Sequence, residues 1–192
     1  PMTPNCENCK MDIKNTFQLN DLKQNGSLTA VRVEGSKKSV DERASNLQKR
    51  FSIPESNFSL LENLQSSIFW KKIRNLEFFS GTQNNIFRIV LPPTETAKLL
   101  YELPKKYKYF LDWGGSVIWM EACELSEQYF NSIRKKVVMH GGYLSMIKNS
   151  DFLPYVEDVF TINNVRFNIS QSIKKSFDPK RILNPGKMYS GI

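Results

Sequence analysis

The chain has 192 residues, a formal net charge of +8, and a composition of 40% hydrophobic and 24% charged residues. This size and composition exclude a collagen, a disordered chain and a low-complexity tail, and they fit one domain of ordinary size. No run approaches the roughly 18–20 apolar residues that cross a bilayer, and no signal peptide is visible, so a cytoplasmic protein is expected. The basic surplus is mostly scattered lysine, which indicates solvated surface more than a nucleic-acid site.

Few residues are available for metal or redox chemistry. Cys6 and Cys9 have the spacing of zinc knuckles and thiol redox pairs, but only Cys123 and His140 could complete a zinc site. The pair lies in a polar stretch and not at the start of a helix, where a thiol pKa would be lowered. No metal site is therefore expected, and the pair is interpreted as ordinary cytosolic thiols.

The first part of the chain predicts little regular structure. Residues 1–27 are polar and without periodicity, so we expect an irregular segment. Residues 28–33 form a β-rich run that ends before Gly35, which predicts a strand. Two helices should follow, one with Ser39 as its N-cap and one over about 59–73. This strand and these helices are expected to extend a sheet and its helical layer.

The middle of the chain has a sharper pattern, with a ferredoxin-like core expected over about 86–147. Its elements are predicted in the order strand, helix, strand, strand, helix, strand. The strands are predicted at 86–91, 106–111, 116–121 and 143–147. Thr94 and Ser126 are the predicted N-caps of the two helices between them. This order predicts an α+β fold, a ferredoxin-like antiparallel sheet with helices on one face. A last helix over 165–177 precedes an irregular tail.

The most specific stretch is that tail, with the sequence FDPKRILNPGKMY at 177–189. Its prolines and glycine prevent regular structure among apolar residues that favour burial. The stretch resembles the C-terminal signature of FAD-linked oxidases of the vanillyl-alcohol oxidase type. Within that family the chain is similar to the C-terminal cap or substrate half of GlcE-type FAD-binding subunits of glycolate oxidases. That similarity rests further on VRVEG at 31–35, FWKKIR at 69–74, FRIVLPP at 87–93, DWGGSVIW at 112–119 and GGYLSMIK at 141–148.

The resemblance implies a division of the chain and a cofactor. Residues 28–164 would form the cap or substrate domain, and 165–192 would dock on an FAD-binding domain. The family's Gly-rich loops for the FAD pyrophosphate have no counterpart in this sequence. FAD is therefore expected in a full-length protein and not on this segment, which alone would be inactive. By the same resemblance, Asn184, Pro185 and Gly186 would lie close to the flavin.

The implied reaction is the oxidation of glycolate or another 2-hydroxy acid. It needs a cation for the substrate carboxylate and a base for the hydroxyl proton. Arg88, in the middle of a strand, is the candidate cation, although an arginine in a structural salt bridge would have the same sequence context. His140 is a weaker candidate for the base, since a histidine at a helix end usually caps it. Tyr143 stands where the family often has a histidine.

The resemblance also implies partners, namely a GlcD-like flavoprotein and a GlcF-like iron–sulfur subunit. The chain would then be cytoplasmic, or peripheral at the inner membrane through those subunits. It would shape the substrate side of the flavin site or pair with the catalytic subunit. Two alternatives stay open, a single-stranded RNA-binding module and a non-catalytic interaction domain. The RNA alternative lacks the aromatic signature strand of such modules, and Phe87 and Trp119 lie in apolar runs typical of a core.

Overall fold

The computed structural model describes residues 28–54, 58–150, 156, 158–187 and 189–190. Cys6, Cys9 and the irregular segment expected over 1–27 lie outside these described residues. The described part of the chain separates into two compact units, with the boundary between Ser80 and Gly81. No helix in the described part is both long and apolar enough to span a membrane.

The first unit contains helices α1 (Lys37–Arg50) and α2 (Asn63–Arg74), followed by a short 3-10 turn. Helix α1 begins after Ser36 and not after Ser39, because the Ser36 carbonyl already accepts the first helical N–H. The strand predicted for 28–33 is wrong, since these described residues pair with no strand and Val31 is 61% exposed. Strand propensity expresses packing against neighbouring strands, and no such neighbour is described here.

The second unit is built on a four-stranded antiparallel sheet with the spatial order β2-β3-β1-β4. Its strands are β1 (Asn85–Val90), β2 (Lys108–Asp112), β3 (Val117–Ala122) and β4 (Tyr143–Lys148). Helix α3 (Pro93–Glu102) joins β1 to β2, helix α4 (Glu127–Met139) joins β3 to β4, and α5 (Asn164–Phe177) follows the sheet. The elements follow one another in the predicted order, and the predicted α+β class is confirmed.

Local signals explain where the helices begin. The hydroxyl of Ser126 accepts the backbone N–H of Tyr129 at 3.3 Å, so the N-cap predicted for α4 is confirmed. The cap predicted at Thr94 is wrong, because the chain enters α3 through Pro92. Pro93 then occupies the first helical position, where a missing N–H removes no helical hydrogen bond.

The hydrophobic core lies on one face of the sheet, under α3 and α4. Phe87 and Ile89 of β1 are fully buried, and the Phe87 ring stacks on Phe130 of α4 with centroids 6.0 Å apart. Each such burial stabilises the fold by about 1.5–3 kcal/mol. Because successive side chains of a strand alternate between the two faces, Arg88 lies on the face opposite the helices.

Candidate functional site

Arg88 lies at the centre of the sheet face opposite α3 and α4. In the strand register it is opposite Trp119 of β3 and Ser145 of β4, while Phe110 of β2 is opposite Trp119. These four side chains form one row across the sheet, which we call the central row. The rings of Phe110 and Trp119 stack with centroids 6.5 Å apart and an angle of 25° between their planes. Arg88 is therefore the cation of a largely aromatic row.

The guanidinium of Arg88 contacts two indole rings. Its central carbon lies 5.7 Å from the ring centre of Trp113 and 5.8 Å from that of Trp119. A cation over an aromatic ring is attracted to the π electrons, and the contact is worth about 0.5–1 kcal/mol at exposed sites. No acidic side chain pairs with Arg88 among the described residues. The indoles therefore hold the guanidinium while its N–H donors stay available for an anion.

Trp113 belongs to a short 3-10 turn, Trp113–Gly115, between β2 and β3. Its backbone N–H donates to the carboxylate of Asp112 at 2.8 Å, and the buried Thr96 of α3 donates its hydroxyl to the Gly115 carbonyl. The φ angle of Trp113 is +51°, which is a rare conformation for a bulky residue. Its side chain is nonetheless 70% exposed. The turn thus holds an exposed indole beside Arg88 in a strained backbone conformation.

A buried carboxylate, Glu121, lies on the same sheet face two residues beyond Trp119. Its Oε1 accepts a hydrogen bond from Asn84 Nδ2 at 2.7 Å and another from the Thr82 hydroxyl. The Nζ atom of Lys108 lies 3.9 Å from its Oε2. A buried carboxylate with such partners is satisfied, and here it ties the residues before β1 to β3. No pattern in the sequence had singled out this residue.

His140 lies at the C-terminal end of α4, on the helical side of the sheet. Its Nδ1 is 2.9 Å from Glu95 Oε2, and its Nε2 is 3.1 Å from Glu102 Oε1. The hydrogen bond to Glu95, followed by that to Glu102, raises the pKa of His140. With a carboxylate at each ring nitrogen, the imidazole links α3 to α4. The side chain of His140 thus pairs with carboxylates of α3, and this geometry does not favour a base acting on a ligand at Arg88.

The tail begins with a tightly bonded aspartate. Asp178 is buried, and its carboxylate accepts the backbone N–H groups of Ile182 at 3.0 Å and Leu183 at 2.9 Å. Lys174 donates to the same carboxylate at 2.7 Å. The bond from Lys174, then that from Leu183, lowers the pKa of Asp178 to about 2. The aspartate of the FDP motif thus folds the following residues back onto the end of α5.

The residues assigned to the flavin by resemblance form an exposed turn in this tail. The φ angles are +46° at Asn184 and +66° at Gly186, and a Cβ atom added at Gly186 would meet nothing within 4 Å. The backbone at Gly186 is therefore open to close approach by another group. No hydrogen bond, ion pair or ring contact joins this turn to Arg88 within the described ranges. The structure therefore does not bring the two predicted parts of the site together.

Exposed apolar side chains run along one side of α5. They recur every four residues and are 54–85% exposed, at Val165, Ile169, Ile173 and Phe177. Ile182 and Leu183 add two more, at 73% and 60% exposure. We call these six residues the α5 stripe. Apolar surface of this extent is typical of an interaction site.

Unlike the α5 stripe, the end of the tail packs against other residues of the chain. The ring of Tyr189 lies 5.8 Å from that of Phe160 and 6.4 Å from that of Phe167, measured between centroids. The N–H of Ser190 donates to the carboxylate of Asp158 at 2.7 Å. Tyr189 therefore packs on its own chain, and the docking of 165–192 on an FAD-binding domain stays a prediction. Met188 lies outside the described residues.

The structure adds Trp113 and Trp119 to the candidate site. Sequence patterns assigned Phe87 and Trp119 alike to the core. Phe87 is fully buried, whereas Trp119 lies half-buried on the opposite sheet face beside Arg88. The assignment of Trp119 to the core was therefore wrong, because the pattern of β3 could not show which strands would flank it.

Within the described ranges, no cluster of histidine, cysteine and acidic residues could hold a metal ion.

Comparison with known proteins supports the resemblance. Residues 154–188 match the family described as FAD linked oxidases, C-terminal domain. Over 128 residues the chain is 28% identical to the glycolate oxidase subunit GlcE of Escherichia coli strain K12. The match covers 65% of this chain and 32% of that relative, so it spans about a third of the relative's length. No solved structure matches. The resemblance to a C-terminal domain of GlcE-type FAD-linked oxidases is thus confirmed.

Proposed function

We propose that this chain, which resembles the C-terminal domain of GlcE-type FAD-linked oxidases, shapes the substrate side of a flavin site that oxidises 2-hydroxy acids. The observation that carries the proposal is Arg88, a guanidinium held beside two indoles on the sheet face opposite α3 and α4, with no acidic partner in the described residues. A guanidinium binds a carboxylate through two parallel N–H···O bonds. Arg88 would thus hold the carboxylate of the substrate.

The surroundings of Arg88 suit this role. Trp113 and Trp119 flank the guanidinium with apolar rings, and a charge-assisted hydrogen bond is stronger where such groups would exclude water. When bound, FAD accepts the hydride from the hydroxyl-bearing carbon of such substrates. The chain's own contribution would be to bind and orient the acid. No residue of this face is assigned as the base, since Glu121 is engaged by Thr82 and Asn84.

The C-terminal part of the chain would face the flavin domain. We propose that residues 28–164 act as the cap or substrate domain and that 165–192 dock on an FAD-binding domain. The α5 stripe supports this division, because it presents apolar surface that the described residues leave exposed. Asn184, Pro185 and Gly186 would then contact the flavin through their open backbone, and FAD would be bound in the longer protein.

The similarity to a glycolate oxidase subunit suggests a place in a multi-subunit enzyme. We extend this suggestion to GlcD-like and GlcF-like partners, and to a cytoplasmic location or a peripheral one at the inner membrane. In such an assembly the chain would have one of two roles. It would either form part of the substrate site or act as a non-catalytic partner of the active subunit. These two roles differ in whether Arg88 binds the acid.

A calorimetric or NMR titration of the chain with glycolate and lactate tests the proposal. We expect saturable binding that weakens at least about tenfold in Arg88→Gln, because both guanidinium hydrogen bonds are lost. Arg166→Gln removes an exposed arginine of α5 and should leave the affinity unchanged. Equal binding by wild type and Arg88→Gln would contradict the proposal. Tighter binding of a single-stranded oligonucleotide that depends on Arg88 and Trp119 would favour the RNA alternative.

A further inference from the structure

We infer that Trp113 selects the substrate at Arg88, favouring 2-hydroxy acids with an apolar substituent on C2 over glycolate, whose C2 carries two hydrogens beside the hydroxyl. The inference rests on the proposed function of Arg88. It concerns a residue that neither the sequence patterns nor the resemblance had assigned to the site. Its basis is the combination of exposure, position and backbone strain at one tryptophan.

The first step is the position of the indole relative to the guanidinium. Arg88 lies 5.7 Å from the centre of the Trp113 ring, so a carboxylate bound to Arg88 is held near this ring. C2 is bonded directly to that carboxylate, so a substituent on C2 is held close to it. Trp113 is also 70% exposed, which leaves most of its surface to be covered by a ligand. An apolar substituent would therefore pack on Trp113 when the carboxylate binds.

The second step is the strain of the backbone at Trp113. A bulky residue rarely adopts a φ angle of +51°, and such conformations persist where the surroundings enforce them. Here Asp112 accepts the Trp113 N–H, and Thr96 donates to the Gly115 carbonyl of the same turn. Burial of the indole does not explain the conformation, because the side chain remains outside the core. The local structure instead presents the ring towards Arg88.

The third step is a comparison with the other side chains around Arg88. Ser145, next to Arg88 on β4, is small and buried, and Trp119 is already stacked on Phe110. Tyr143 is 40% exposed and is opposite Val90, on the same face one row away. Among these neighbours Trp113 offers the largest exposed apolar surface. Tyr143 is accordingly the matched control for a substitution at Trp113.

The test is an NMR titration that follows the indole N–H resonances of the chain with glycolate, lactate and 3-phenyllactate. Affinity should rise in that order, by about three- to fourfold for each methylene that packs on the ring. Trp113→Ser should bind the three acids with similar affinity, while Trp113→Phe should retain part of the order. Tyr143→Leu should keep the order of the wild type. A two-dimensional amide spectrum checks that each variant is folded.

The outcomes separate this inference from the proposed function. If the order of affinities survives in Trp113→Ser while Arg88→Gln abolishes binding, the role of Trp113 is wrong and the Arg88 site stands. If glycolate binds the wild type as tightly as 3-phenyllactate does, the inference is also wrong. If Arg88→Gln binds all three acids as well as the wild type does, or if no acid binds the wild type, the proposed function itself fails.

Discussion

The carboxylate of Asp112 accepts the backbone N–H of Trp113 at 2.8 Å and thereby stabilises the left-handed conformation that places the indole beside Arg88. At helix N-caps, replacing a side chain that accepts an otherwise unpaired backbone N–H lowers the unfolding free energy by about 0.5–2 kcal/mol. We expect a similar loss of unfolding free energy in Asp112→Ala, together with a change in tryptophan fluorescence as the indole leaves Arg88. Urea denaturation followed by fluorescence measures both effects.

Asp112→Asn is the control for this change. It keeps a side-chain oxygen that can accept the Trp113 N–H, so most of the stability and the native emission should return. A variant Asp112→Ala with the stability and fluorescence of the wild type would show that the carboxylate does not hold the turn.

Gly142 marks a close approach between the start of β4 and the end of β1. A Cβ atom at this position would lie 2.7 Å from the Val90 carbonyl oxygen and 2.8 Å from the Leu91 Cβ. We expect Gly142→Ala to lose about 1–3 kcal/mol of unfolding free energy, as for other overpacked sites. Gly81→Ala isolates the other cost of replacing a glycine, since its added Cβ meets nothing within 4 Å and only its φ of +75° should destabilise alanine, by about 1–2 kcal/mol. If chemical denaturation shows Gly142→Ala to be as stable as the wild type, the close approach is not real.

The linkage of α3 to α4 through His140 predicts a pH dependence of stability. The hydrogen bonds that His140 donates to Glu95 and then to Glu102 raise its pKa above the ordinary value of 6.5. A group with a raised pKa in the folded state stabilises the fold fully below its unfolded pKa, and this contribution is lost as the pH rises through the folded pKa. The melting temperature of the wild type should therefore fall from pH 6.5 upward, relative to that of His140→Gln.

The pKa of Glu95, which pairs with His140, sets the lower end of the pH range over which this pair stabilises the fold. The pKa of Glu95 is lowered from 4.5 by hydrogen bonds, from Lys98 first and then from His140. Its contribution is present above pH 4.5 and is lost as the pH falls through the lowered pKa. Thermal melts between about pH 3 and pH 8.5 follow both limits. Parallel curves for wild type and His140→Gln would contradict the linkage.

The tail offers a contrast between exposed and packed apolar residues. Tyr189 packs against Phe160 and Phe167, so Tyr189→Ala should reduce the unfolding free energy by about 1–3 kcal/mol. Ile182→Ser and Leu183→Ser remove exposed residues of the α5 stripe and should change it by no more than about 0.5 kcal/mol. A large loss of stability in either serine variant would show that the stripe packs on this chain and not on an FAD-binding domain.

Much of the second unit could be predicted from the sequence. Alternating apolar residues and helix caps such as Ser126 located the strands and helices of the sheet within a few residues. The strand predicted at 28–33 failed because its composition could not show that a partner strand was lacking. The α+β class followed from the order of the elements, which short-range patterns reveal well.

The site was less accessible to such reasoning. Arg88 could be selected because a cation in an apolar strand is unusual, but its contact with Trp119 depends on the register of β1 with β3. The position of Trp113 depends on a strained turn that the Asp112-Trp-Gly-Gly sequence suggests only as a hairpin. His140 and Glu95 are 45 residues apart, so their contact follows from helix packing. These features arise from tertiary structure and not from local pattern.

The most direct measurement of the central claim is the side-chain Nε–Hε spectrum of the arginines during titration with lactate. Binding at the proposed site should shift the Arg88 resonance and the indole resonances of Trp113 and Trp119 along one saturable curve, with the other arginines unchanged. Shifts spread evenly over the arginines, or an Arg88 resonance that does not move while lactate binds elsewhere, would contradict the assignment of Arg88 as the carboxylate-binding residue.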